Sequence, residues 1–189
     1  GREIRRTSLN ERGQPMVDKV GNAVAEVDYD PEDNIVASRF LDTANQPTLV
    51  NADYASTRLA YDRWGRMTEQ RFFGLRGEPV VETGQTGAHW IVWQYDDRGN
   101  VTHIRLYGAA DAPMVGGKGY FDFPAFEQRA SFTEHNRLKT VAYFDQGNAP
   151  LTGPEGWHGY RIEYDQRGFV AQISYFDQNL KPVNLHSFG

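Results

Sequence analysis

The chain has 189 residues, of which 39% are hydrophobic and 13% aromatic, and its formal net charge is −5. Because a nucleic-acid partner requires a basic face, this charge argues against that class of partner. Cysteine is absent, which excludes a disulfide framework and a thiolate metal site, and no stretch approaches the roughly 20 apolar residues of a membrane span.

Six prolines recur along the chain at gaps of 32 to 37 residues. They are Pro15, Pro47, Pro79, Pro113, Pro150 and Pro182. A period in this range is typical of solenoids, propellers and hairpin stacks, and proline belongs where a strand ends. We therefore expect one repeat-array domain over residues 1–189, with about five repeats. Their approximate bounds are 1–23 (partial), 24–56, 57–90, 91–128, 129–160 and 161–189.

Each repeat contains an aromatic residue followed, four positions on, by a residue type that accepts positive φ. These turn residues are Asp33, Gly65, Gly99, Asn136 and Gly168. A bulky apolar pair then ends the repeat's next segment, so the pattern predicts strand, tight turn, strand. A second predicted turn lies two residues before each register proline. Its residues are Gly13, Asn45, Gly77, Asp111 and Asn148, with Leu180 as the one departure.

The composition favours β structure over helix. The 19 glycines and 9 prolines would interrupt most helices, and no window shows a 3.6-residue apolar period. Many large rings with few aliphatic side chains suit a thin β structure that buries one face or the seam between repeats. The sequence therefore predicts an all-β fold of tandem β-hairpin repeats forming an extended twisted sheet or a solenoid. Its open edge strands can mediate self-association.

Three of the predicted turns carry a recognisable motif: Tyr61-Asp-Arg-Trp-Gly, Tyr95-Asp-Asp-Arg-Gly-Asn and Tyr164-Asp-Gln-Arg-Gly. They resemble the YD-type repeats of bacterial Rhs and related cell-surface proteins. A longer variant, in which a YD-x-x-GN turn alternates with a YFD-x-x-G-x-P turn, is similar to Tyr143-Phe-Asp-Gln-Gly-Asn-Ala-Pro150. The resemblance covers nearly the whole chain. It implies a β-hairpin repeat segment of an exported or envelope-associated bacterial protein, in the periplasm or outside the cell.

Catalytic motifs such as G-x-S-x-G, H-E-x-x-H and the phosphate-binding loop are absent from the sequence. His89 and His158 occupy equivalent positions two repeats apart, which is too far to share one zinc ion. We expect both to be turn histidines hydrogen-bonded to the backbone. We likewise expect the aspartate of each turn, such as Asp96, to accept a backbone hydrogen bond rather than bind calcium. The sequence therefore predicts no enzyme, no metal site and no cofactor.

The candidate ligand-binding residues are aromatic residues where the chain departs from the repeat. They are Trp90, Trp93, Trp157, Tyr120, Phe121 and Phe123. The three tryptophans lie at repeat boundaries, where they either staple neighbouring repeats or bind a sugar ring or a partner's apolar patch. The other three belong to the surplus segment 116–126 of the longest repeat. That segment either plugs a gap or projects as a recognition surface.

Three functions of different class follow from these residues. The first is a non-catalytic module that binds a protein partner or serves as a scaffold. The second is a repeat domain that binds a cell-envelope glycan through the boundary aromatics. The third is an accessory part of a larger enzyme or toxin whose catalytic region lies outside this chain. Because the chain begins at Gly1 in the middle of a repeat, we expect a processed chain or a piece of a longer protein.

Overall fold

The computed structural model of the chain describes residues 2–51, 53–84, 86–115, 121–122 and 124–184. These residues form twelve β-strands and no helix, which confirms the predicted all-β hairpin fold. The strands are β1 (Arg5–Thr7), β2 (Val24–Tyr29), β3 (Ile35–Leu41), β4 (Ser56–Tyr61), β5 (Met67–Phe73), β6 (Trp90–Tyr95), β7 (Val101–Tyr107), β8 (Glu127–Phe132), β9 (Leu138–Phe144), β10 (Gly159–Tyr164), β11 (Val170–Phe176) and β12 (Pro182–Val183).

The chain divides into two compact units. Unit 1 comprises Gly1–Val92 and Tyr107–Ala112, and unit 2 comprises Trp93–Leu106 and Pro113–Gly189. In unit 1, each strand from β1 to β5 pairs antiparallel with the next strand along the chain, and β5 pairs with the start of β6. In unit 2, the same rule holds from β7 to β12.

Five long hairpins correspond to the five predicted repeats. Each has a first strand of six residues and a second strand of seven. In the hairpins β2–β3, β4–β5, β8–β9 and β10–β11, a bulge precedes the last residue of the first strand, for example between Ala60 and Tyr61. Because a bulge adds local twist and bends the strand, it turns the chain into the tight connection that follows.

The hairpin turns follow one hydrogen-bond pattern, illustrated by the turn after β6. The Gly99 N–H donates to the Asp96 carbonyl (3.1 Å), and the Asp96 N–H donates to the Asn100 carbonyl (3.0 Å). Gly99 has a φ of 89°, in the left-handed region that the turn requires. The predicted turn residues share this conformation. Positive φ is found at Asp33, Gly65, Gly99, Asn136 and Gly168.

The second predicted turn, which we call the seam turn, repeats this pattern at the other end of the hairpin. The Asp42 N–H donates to the Gln46 carbonyl (2.8 Å), and the register proline Pro47 then bridges back to Leu41. Positive φ is found at Gly13, Asn45, Gly77, Asp111, Asn148 and Leu180. Leu180 therefore adopts the same conformation as the other five, although leucine does so at a steric cost.

A third turn, the return turn, leads from four of the seams to the next long hairpin and was not predicted from the sequence. Its closing hydrogen bond joins the first N–H to the last carbonyl in segments 18–22 (2.8 Å), 50–54 (2.8 Å) and 153–157 (2.8 Å). In segment 82–88 the same bond (2.9 Å) encloses two more residues. Those two residues explain why the gap between Pro79 and Pro113 exceeds the shortest gaps.

The core of each unit lies at the seam end of its hairpins, under the return turns. In unit 1 it contains Val24, Val50, Phe72, Ala88 and Ile91. In unit 2 it contains Leu106, Phe126, Val141, Tyr143 and Trp157. The hairpin turns at the opposite end are exposed, as Phe169 shows. Apolar burial therefore anchors the seams, whereas side-chain hydrogen bonds hold the hairpin turns.

Candidate functional site

The two equivalent histidines are buried and serve the backbone, as predicted. His89 Nδ1 lies 2.7 Å from the Phe72 carbonyl oxygen and 3.2 Å from that of Val80. Because both neighbours are acceptors, Nδ1 carries the proton and donates. His158 Nδ1 lies 2.9 Å from the Leu151 carbonyl oxygen. Each histidine thus ties a seam segment to the following hairpin. Across the described parts of the chain, no group of three or more His, Asp and Glu side chains could hold a metal ion.

Trp90 is half-buried in unit 1 and wedged between two side chains. Its ring stacks on Tyr107 with centroids 4.4 Å apart, and the Arg71 guanidinium lies 3.9 Å from the ring centroid. The indole Nε1 is buried without a hydrogen-bond partner. Its neighbours therefore cover much of the ring, which fits the expected stapling role.

Trp157 and Phe121 are buried in unit 2. Trp157 is only 8% exposed and contacts the rings of Tyr143 and Tyr175, with centroids 6.0 and 5.2 Å away. Phe121 packs 5.8 Å from the Tyr143 ring, and the Tyr143 hydroxyl donates to Asp122. Burial, followed by that hydrogen bond, raises the pKa of Tyr143 far above its ordinary value. Phe121 thus packs in the core, which agrees with the plugging alternative for this one residue of its segment.

Of the remaining predicted binding residues, the structure describes only Trp93. Trp93 is half-buried in unit 2. Tyr120 and Phe123 lie outside the described residues. A ligand-binding role for the six aromatic residues stays a prediction, and the burial of Trp157 and Phe121 leaves them little surface to offer a ligand.

The most exposed tryptophan is Trp64, which sequence reasoning did not select. It is 60% exposed and lies in the hairpin turn between β4 and β5. The Arg63 and Arg66 guanidinium groups lie 3.9 and 4.5 Å from the centroid of its ring. Its backbone N–H donates to Asp62 Oδ1 (2.9 Å), and Arg66 Nε donates to Asp62 Oδ2 (2.6 Å). The sequence feature that could have indicated its exposure is its position directly before Gly65, at the tip of a predicted turn.

Trp64 borders a recess between two consecutive hairpin turns of unit 1, which we call the turn cleft. One side is formed by Asp30, Glu32 and Asn34, and the other by residues 61–65. Asn34 donates to both carboxylate oxygens of Asp30 (2.8 and 2.9 Å), and these hydrogen bonds hold the pKa of Asp30 below its ordinary value. Burial raises the pKa of Tyr61, and Asp30 adds to the shift. The cleft therefore carries charges of both signs, and hydrogen bonds hold the Asp30 carboxylate in place.

Unit 2 contains an equivalent cleft between the turns that follow β8 and β10. It is lined by residues from segments 133–137 and 164–167. The Arg137 guanidinium lies 5.4 Å from the Tyr164 ring centroid, and the Tyr164 hydroxyl donates to the Leu138 carbonyl (2.8 Å). The repeat thus produces the same recess in both units. Only the unit 1 cleft has an exposed indole at its rim, because the position of Trp64, directly before the turn glycine, is occupied by Arg167 in the other cleft.

No protein-family model and no curated protein sequence matches the chain. Among solved structures, it resembles chains of toxin complexes. The Tc holotoxin pore of Photorhabdus luminescens gives a TM-score of 0.45 at 14% identity, over 94% of this chain and 9% of that chain. The crystal structure of TcdB2-TccC3 gives the same four values. The chain spans 9% of the length of these chains, and both TM-scores lie below 0.5, so its function has to be inferred from its own geometry.

Proposed function

We propose that the chain is a non-catalytic β-hairpin repeat module that binds a protein partner at the turn cleft of unit 1. The observation that carries the proposal is Trp64, an exposed indole held in place by two arginines and by the turn aspartate. Tryptophan and arginine are enriched among the residues that dominate binding energy at protein interfaces. Because the ring and its backbone are already fixed, little conformational entropy is lost when a partner docks.

The repeated polar residues support a structural role rather than catalysis. The Asp96 carboxylate accepts the backbone N–H groups of Arg98 and Asn100 (3.0 and 2.9 Å) and the Asn100 side chain (2.9 Å). The buried histidines are likewise engaged with carbonyl groups. Side chains committed to holding turns are poorly placed to exchange protons with a substrate.

An exported or envelope-associated bacterial protein is the proposed context for this module. The motifs around Tyr61, Tyr95 and Tyr164 resemble YD-type repeats, which are found in cell-surface proteins. A chain without cysteine also avoids mispaired disulfides in an oxidising compartment. Of the parts of the chain described here, none forms a helix long and apolar enough to cross a membrane.

The proposal is tested by capture from bacterial envelope extract with wild type, Trp64→Ala and Phe169→Ala. Phe169 is the matched control because it is 68% exposed and lies directly after the hairpin-turn glycine Gly168. We expect a protein that wild type and Phe169→Ala retain and Trp64→Ala loses. The captured protein is then purified, and its affinity for the three variants is measured by calorimetry. Equal affinity for wild type and Trp64→Ala would contradict the proposal, and Trp64-dependent binding of soluble glycans would favour the glycan-binding alternative.

A further inference from the structure

A cavity of about 290 Å³ lies in unit 1 between the return turns 50–54 and 82–88, with Gln70 and Phe72 at its floor. The second of these turns is two residues longer than the first. The longer turn reaches back across the repeat, and the N–H groups of Thr83 and Gly84 donate to Asp53 Oδ2 (2.7 and 3.3 Å). We call this recess the Asp53 cavity.

The longer turn also brings a second carboxylate to the cavity. Glu82 is 7% exposed, and its Oε2 accepts hydrogen bonds from the Thr86 N–H and the Thr86 hydroxyl (both 2.7 Å). Gly84 permits this arrangement, since a Cβ there would lie 2.8 Å from Glu82 Oε1. Two carboxylates thus line one small recess, and the N–H and hydroxyl groups of Thr83, Gly84 and Thr86 that donate to them are neutral.

The electrostatics of the cavity and its aromatic wall both favour a positively charged ligand. Burial raises the pKa of Tyr54, and the charges of Glu82 and Asp53 raise it further, so both carboxylates act on one point in the recess. The rings of Tyr54 and Phe72 meet edge to face at 5.0 Å. No lysine or arginine is among the described residues that line the cavity. A negative site beside aromatic rings attracts a positive charge, because low-dielectric walls strengthen both contributions.

We propose that the Asp53 cavity binds an organic cation, namely the guanidinium or ammonium group of an arginine or lysine side chain. The volume suits one such side chain, and a carboxylate beside an aromatic ring meets both its charge and its apolar stem. Asn51, Thr83 and Gly84 are exposed and leave the mouth open to solvent. This inference rests on the proposed function, because a protein partner would supply the arginine or lysine side chain. It adds a second contact, distinct from the turn cleft.

The test uses the 15N-labelled chain and follows the amide signals of Thr83, Gly84 and Thr86, which donate to the two carboxylates. The probe is an end-capped Gly-Arg-Gly peptide, compared with the peptide in which neutral citrulline replaces arginine. We expect a saturable shift with arginine, a shift with the lysine peptide, and none with citrulline. Asp53→Asn keeps an acceptor for the Thr83 N–H but removes the charge, so binding should weaken about tenfold.

Asp42→Asn is the matched control, because it makes the same charge change in a seam turn of unit 1 and should leave the affinity unchanged. Glu82→Gln gives a second variant that also weakens binding. Three outcomes would overturn the inference: no saturable shift in the wild-type chain, equal shifts with arginine and citrulline, or a shift produced by calcium alone. If any one of these outcomes occurs while partner capture still depends on Trp64, the cavity inference fails and the proposed function stands.

Discussion

The two ends of the long hairpins use the same turn chemistry but differ in what holds them. The seam end carries the buried side chains of each unit, such as Phe72 and Tyr143. The hairpin-turn end keeps few buried groups and relies on aspartate side chains that accept backbone N–H groups. Local hydrogen bonds therefore suffice to shape the outer turns, which leaves their remaining side chains free to vary. We infer that most of the stability of each unit resides at the seam end.

The largest expected effect comes from Phe72→Ala, at the seam end of unit 1. Phe72 is 3% exposed and contacts Tyr54, so its truncation should lower the free energy of unfolding by about 3–5 kcal/mol. Trp64→Ala, at the turn end of the same unit, should cost less than about 1 kcal/mol because the ring is largely exposed. Urea unfolding monitored by circular dichroism gives both values. Equal losses of unfolding free energy in the two variants would contradict the inference that the seam end contributes more to stability than the hairpin-turn end.

Ion pairs at the seam end and at the hairpin-turn end should also differ in their contribution to stability. Glu127, at the seam end of β8, is buried and accepts hydrogen bonds from Arg105 Nε (2.8 Å) and Arg129 Nε (2.9 Å). Glu127→Gln should destabilise by about 2–3 kcal/mol, since two arginines lose their counter-charge but remain partly exposed to water.

The matched pair lies near the turn end of β2, where Arg39 Nη2 donates to Asp28 Oδ1 (2.9 Å) and both side chains are nearly half exposed. Asp28→Asn should cost less than about 1 kcal/mol, as is usual for surface ion pairs. Unfolding curves of the two variants check the difference. A larger loss for Asp28→Asn would mean that burial does not decide the strength of these pairs.

The features that the sequence predicted are those with local causes. The turn at Gly99 follows from two residues that are close in sequence: Asp96, whose side chain accepts backbone N–H groups, and Gly99, which accepts positive φ. The role of His89 could be predicted because its alternative, a shared metal site, failed on distance. Trp64 stood in a quoted motif, but its exposure depends on how neighbouring turns are arranged.

The return turns and the Asp53 cavity could not be predicted in this way. The hydrogen bond from Thr83 to Asp53 joins residues 30 positions apart. Its donor lies in a return turn that is two residues longer than the preceding one. The sequence showed the longer gap between Pro79 and Pro113 but not the place of the surplus residues. Contacts between repeats depend on register, which periodicity alone leaves open.

A smaller effect is expected at Leu180, the seam-turn residue that departs from the repeat. Its φ of 61° costs a leucine roughly 1 kcal/mol, whereas asparagine tolerates this conformation. Leu180→Asn should therefore stabilise its turn, and hydrogen exchange of the Asp177 and Lys181 amides should slow about fivefold. Leu75→Asn, also in a seam turn but without positive φ, is the control and should not stabilise. Unchanged exchange in Leu180→Asn would show that the strain is absent.

The smallest expected effect is a pH dependence confined to turns that contain aspartate. Hydrogen bonds from the side chain and the backbone N–H of Asn100 hold the pKa of Asp96 below its ordinary value in the folded chain, so the unfolded chain binds the proton more tightly. The stabilisation is present above about pH 4 and is lost as the pH falls through the folded pKa.

The hairpin turn after β8 supplies a natural control in the same unit, because Thr133 occupies the aspartate position. Its hydroxyl accepts the Arg137 N–H (3.2 Å) without carrying a charge. Acid should therefore disturb the Gly99 amide signal before that of Asn136, and Asp96→Thr should remove this difference. Simultaneous loss of both signals would instead mean that the turns open only when the whole unit unfolds. In that case the turn end could not vary independently of the seam end.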